Sequence, residues 1–198
     1  MNVNRRVVLK AAALASSAGL AMGGAIPVLA SAPNTPGRAA QTVLVLANHS
    51  AAAALFLHGA SAAAGVELQV QRASLDVDFM LELERQMRSG PARRIIGLLD
   101  DASATLVMDM ARSAGAHLQW LGQHSAASGL TTHHHLFAAD PAEQLRRLPL
   151  HNEASAQWAA SLGYGLAALG THTNRMAPLA PTANPPLSGS FVSFSIEV

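Results

Sequence analysis

Cysteine is absent from the 198-residue chain, which excludes disulfides, thiolate metal sites, iron–sulfur clusters and cysteine nucleophiles. The fold must therefore rely on its apolar core. Lysine occurs once, at Lys10, and no acid precedes Glu67. Aromatics make up 4% of the residues and charged side chains 13%. Catalytic signatures are missing too. There is no glycine-rich dinucleotide fingerprint after the first apolar strand, no phosphate loop, no G-x-S-x-G elbow and no H-E-x-x-H pair. These absences argue against classical nucleotide binding.

What the chain does have is apolar: half of its residues are hydrophobic. The formal charge of +1 is unevenly spread, with Arg5, Arg6 and Lys10 in the first ten residues. Setting those three aside from the 13 Lys plus Arg leaves 10 Arg against 12 Asp plus Glu, so the remainder is about −2. Scattered Arg on a near-neutral body gives no electrostatic footprint for nucleic acid.

Asn4-Arg5-Arg6-Val7-Val8-Leu9-Lys10 resembles the twin-arginine export motif: paired Arg, one spacer, an apolar pair, then Lys. Asn4 stands where that family carries Ser or Thr. A weakly apolar Ala- and Gly-rich stretch from Ala11 to Leu29 follows, and Val28-Leu29-Ala30 places small residues where a signal peptidase reads, with Ser31 next. Gly19, Gly23, Gly24 and Pro27 weaken the alternative of a membrane-spanning helix. The resemblance implies a leader over residues 1–30, cleaved near Ala30, with the twin-arginine translocase as transient partner. The product is then a periplasmic or otherwise exported protein that folds before transport and keeps no membrane span.

Residues 31–40 are Pro- and Ala-rich and read as a tether. Residues 41–198 are expected to form a single α/β domain of roughly 160 residues, enough for one core. Thr42–Leu46 is a continuous apolar run rich in β-branched residues, suited to a strand buried on both faces. Val66–Val70 alternates and reads as a half-buried strand near an edge. Arg94–Leu99 is the next central strand, and His117–Leu121 a fourth. Helical segments separate them: Ser50 to Ala64, Ser74 to Met87, and Asp101 or Ser103 to Gly115. Leu130–Phe137 reads as a fifth strand, Asp140-Pro141-Ala142-Glu143 as a capped helix start, and 152–169 as a helix. Ala177–Ser190 is a proline-rich loop. Phe191–Val198 alternates, with Val192, Phe194, Ile196 and Val198 on one face, and is expected to close the sheet, in antiparallel sense if it reverses direction. The alternation of strand and helix predicts a mostly parallel sheet of about five strands with helices on both faces, a three-layer, Rossmann-like arrangement. Ile95–Leu121 resembles one strand–loop–helix–strand unit of periplasmic solute-binding lobes, over a short stretch and with length for a single lobe.

In such sheets ligands bind where strands exit. The residues after each predicted strand are Asn48 and His49, Arg72 and Ser74, Asp100 and Asp101, then Gln123, His124 and Ser125. Imidazole with carboxylate suits a divalent transition metal such as zinc, held by His49, Asp100 and His124. The same groups suit a general base with an orienting acid. Ser50, Ser74, Asp101 and Ser125 are equally suited to cap helices. His133-His134-His135 would put His133 and His135 on one strand face, a second candidate metal pair. Three function classes remain open: a small-ligand or metal-binding accessory protein using His49, Asp100, Asp101, His124 and Ser125; a metal-assisted or serine hydrolase pairing Ser125 with His49; and a subunit exported with a protein partner docked on its Ala- and Gly-rich second-half helices.

Overall fold

The computed structural model describes residues 41–127, 130–138, 157–169 and 187–198, with backbone alone for 130–138. The expected leader, the tether, the Asp140–Glu143 helix start and most of the Ala177–Ser190 loop lie outside these residues. The described elements are β1 (Gln41–Ala47), α1 (Ala51–Ser61), β2 (Val66–Arg72), α2 (Val77–Ser89), β3 (Arg94–Leu99), α3 (Asp101–Ser113), β4 (His117–Ala127), β5 (Leu130–Ala138), α4 (Gln157–Ala168) and β6 (Gly189–Glu197). The protein is α/β. Its strands form one six-stranded mixed sheet in the order β2-β1-β3-β6-β4-β5.

Burial follows the sequence pattern. On one face, Val43, Val45, Ile96, Leu98, Trp120 and Phe191 pack with α1 and α4. On the other, Leu44, Leu46, Ile95, Leu99, Phe194 and Ile196 pack with α2 and α3. β1 and β3 are covered on both sides, which is why they read as unbroken apolar runs. Met87 is buried, and Met80, Met108 and Met110 pack partly buried against the same core, so the methionines are packing residues.

The sheet departs from the mostly parallel expectation. β1 pairs in parallel with β2 and β3, but β6 pairs antiparallel with β3 and β4, and β5 antiparallel with β4. β6 was expected to close the sheet and instead lies inside it, between β3 and β4. Both of its faces are covered: Phe194 and Ile196 are fully buried on one, Ser193 and Ser195 on the other. β4 also runs on past Leu121 to Ala127 and pairs antiparallel with β5. Its later half alternates buried and exposed residues through Gly122, His124 and Ala126. A strand continues there rather than a strand-to-helix loop, so Ser125 caps no helix.

α1 and α4 are in unusually close contact. A Cβ built on Gly59 would lie 1.8 Å from the Ala160 carbonyl oxygen, and one on Gly163 would lie 2.0 Å from that of Phe56. The small residues of α4 (Ala159, Ala160 and Ala167) are fully buried with α1 in this core. These three residues are therefore taken up by packing within the chain. At the far end of α4, the buried Arg94 donates from Nη1 to the Leu169 carbonyl at 2.5 Å, satisfying a carbonyl left over at a helix C-terminus. Burial lowers the Arg94 pKa, and Glu197 offsets part of that. No helix among the described residues is long and apolar enough to cross a membrane.

Candidate functional site

β1 and β3 run parallel, and β4, antiparallel to β6 as β3 is, shares their direction. With β2, parallel to β1, four strand exits therefore lie on one rim. α1 leaves β1 toward one sheet face and α3 leaves β3 toward the other, so the crevice between these neighbouring strands is a switch point of the kind that holds ligands in open α/β sheets.

The crevice is built by caps. Ser50 is the N-cap of α1, its Oγ accepting from the Ala53 amide at 3.1 Å. Asn48 Oδ1 accepts from the Ser50 amide at 2.9 Å, and Asn48 Nδ2 donates across the crevice to Asp100 Oδ2 at 3.4 Å. Asp100, not Asp101 or Ser103, caps α3: it accepts from the Ser103 amide and from the Ser103 hydroxyl, both at 2.9 Å. In α2 the cap falls later than expected, at Asp76 rather than Ser74. Ser74 donates to Asp76, and Asp76 accepts from the Phe79 amide at 2.7 Å. An aspartate two residues on displaces the serine because its carboxylate also complements the helix dipole.

Burial pushes the Asp100 carboxyl up, but the Ser103 amide and hydroxyl and Asn48 outweigh it, and its pKa is held below the ordinary value. A folded value below the unfolded one contributes stability above about pH 4 and loses it as pH falls through the folded value. Asp100→Asn keeps a competent cap but removes the titration. At pH 7 the variant should be less stable than the parent by up to about 1 kcal/mol. Melting temperatures followed from pH 7 to pH 3 should converge as the parent's Asp100 protonates; a constant offset would assign the acid response elsewhere.

His49 and Asp101 are exposed on this rim. His124 is not with them. β3 and β6 lie between its strand and that of His49, three strand spacings or about 14 Å. His124 is fully buried, on the α4 face. Among the described residues no three His, Asp or Glu side chains converge as a metal site, so His49, Asp100 and His124 do not form the expected zinc set. Register sets the backbones of His133 and His135 opposite His124 and Gly122; the side chains of this candidate metal pair lie outside the described residues. Ser125 is exposed in the strand next to the buried His124, so alternation turns it to the other face, and it approaches neither histidine as a nucleophile.

His124 instead belongs to a buried polar cluster that sequence reasoning missed. Its Nε2 lies 2.7 Å from Ser193 Oγ. Trp120 Nε1 donates to the same hydroxyl at 2.9 Å, and the Gly122 carbonyl lies 3.5 Å from it. The imidazole stacks on Trp158, ring centroids 5.0 Å apart at 25°, and Trp158 meets Phe191 at 6.1 Å. A serine hydroxyl against an imidazole nitrogen resembles a nucleophile–base pair, but Ser193 and His124 both have zero exposure. Nothing in solution reaches them, and the arrangement acts as a polar clamp between β4 and β6. The available signal was the inward period of Trp120, Gly122, His124 and Ala126, but its serine partner lies 69 residues further on. No protein-family model, curated protein or solved structure matches this chain.

Proposed function

We propose that the chain is an exported, single-domain α/β protein that binds a small polar ligand in the crevice between the exits of β1 and β3. The observation that carries this reading is the Asn48–Asp100 hydrogen bond across two adjacent parallel strands whose helices depart to opposite faces. Crossovers of this kind join the three parallel strands β1, β2 and β3, and the crevice where they diverge is where open α/β sheets take ligands. Asn48 and Asp100 act as a fixed floor, since capping already occupies their oxygens, while the exposed His49 and Asp101 are the groups available to a ligand. A ligand role is favoured over Ser125-based hydrolysis because no nucleophile–base pair opens onto this rim among the described residues.

The test is a small-molecule screen by amide chemical-shift mapping. Perturbations should cluster at residues 48–50 and 100–103, and His49→Ala should weaken binding without altering the fold. Hits that map elsewhere would overturn the assignment. Export rests on the Asn4–Lys10 motif and the small residues before Ser31. Replacing Arg5 and Arg6 by lysine together should abolish periplasmic accumulation, and the exported product should begin at Ser31 by mass spectrometry. Unchanged accumulation would remove the twin-arginine reading while leaving the crevice assignment intact.

A further inference from the structure

β2 is an edge strand, and its outer edge pairs with no strand among the described residues. The Gly65 carbonyl accepts from Gln41 and the Ala73 amide donates to Ala47, so odd-numbered residues of this stretch turn their backbone groups toward β1. Val66, Leu68, Val70 and Arg72 therefore turn theirs outward, where none of the described backbone hydrogen bonds reaches them. Natural edges are blunted by proline, lysine or bulges; β2 contains no proline or lysine, and its register with β1 is unbroken. The exposed large apolar side chains among the described residues all belong to this same β2–α2 unit: Val70, Leu75, Val77 and Leu81, each about 60% exposed. Concentration of apolar exposure beside unpaired strand groups marks an association surface.

We propose that this edge pairs with β2 of a second copy of the chain, antiparallel about a two-fold axis at Gln69. Gln69 is the midpoint of Val66–Arg72, so this register overlaps the whole strand. It sets Leu68 opposite Val70 on both sides of the axis, burying the exposed valine against an apolar partner. Glu67 falls opposite Gln71 and Arg72 opposite Val66, so no charge meets its like. All four outward residues then sit in hydrogen-bonded pairs, while Gln69 faces its own copy in a non-hydrogen-bonded pair, where Cα atoms lie about 4.5 Å apart.

The absence of cysteine makes the test direct. Gln69→Cys should oxidise to a disulfide-linked dimer, because the predicted Cα separation suits the bond, while a cysteine in place of the exposed Glu84 on α2 should not. The unaltered chain should sediment at twice its monomer mass, and Val70→Lys, at a position already exposed, should sediment as a folded monomer with unchanged circular dichroism. A chain that stays monomeric at high concentration, a dimer that survives Val70→Lys, or a Gln69→Cys chain that fails to cross-link would each overturn the proposal. A monomer that instead takes up a strand from another protein would overturn it as well.

Discussion

Gly163→Ala should unfold the protein roughly 6–12 °C below the parent, a loss of about 3 kcal/mol. Alanine is the better helix former by up to about 1 kcal/mol, so propensity alone predicts the opposite sign. Space decides it. The new methyl would lie 2.0 Å from the Phe56 carbonyl oxygen and 2.8 Å from its carbon, and both atoms are backbone that no rotamer change can move. α1 and α4 would have to separate, opening the contacts of Phe56, Leu162 and Trp158 with the sheet face they cover. Gly65→Ala provides the contrast. There φ is +76° and nothing lies within 4 Å of the new Cβ, so the cost is backbone strain alone, about 1 kcal/mol. Equal effects in thermal melts of the two variants would show that the helix contact is looser than described.

Ser193→Ala should cost about 2–3 kcal/mol, or roughly 4–12 °C in melting temperature. The change removes one oxygen, but that oxygen joins Trp120 Nε1 and His124 Nε2 in a region without solvent. Two polar groups on β4 lose the contact that ties them to β6, and low local polarity makes that loss expensive. The link can be isolated in a double-mutant cycle with Trp120→Phe, which removes the donor and keeps most of the ring. Once the indole N–H is gone, Ser193→Ala should cost less than in the parent, with a coupling of about 1 kcal/mol. Additive effects would mean that serine and tryptophan are merely neighbours.

Much of the architecture was legible because its signals are local. Val43–Leu46 and Ile95–Leu99 are buried on both faces and read as continuous apolar runs; Val66–Val70 alternates because it lies at an edge. The helices between them follow from spacing and caps, with the cap at Asp76 rather than Ser74 in α2 and at Asp100 rather than Asp101 or Ser103 in α3. The position of β6 was not legible. Its apolar face, Val192, Phe194 and Ile196, is plain in the sequence, but Ser193 and Ser195 suggest a face turned to water. They are buried because Trp120, His124 and Gln119 supply partners from a strand some 70 residues earlier, and no window along the chain contains both halves of that arrangement.

The same reasoning explains the candidate site. Asn48 and Asp100 meet because β1 and β3 are neighbours, as the crossover pattern predicts. His124 follows its strand in the expected direction, but the interposed β6 moves it away from His49, and continuation of β4 turns it inward. A polar residue after a predicted strand is ambiguous: it can end the strand or be the buried member of its continuation. The alternation of Gly122, His124 and Ala126 is what distinguishes the two.

The central position of β6 also bears on biosynthesis. While the ribosome is still adding residues before 189, β3 and β4 lack the segment that joins them, and the nascent chain carries two unfinished halves with open margins. Completion of the sheet must wait for a late stretch to thread into a slot framed much earlier, a high-contact-order step expected to be slow. Chains stalled before that stretch should be prey for chaperones and proteases, because the margins of β3 and β4 stay uncovered.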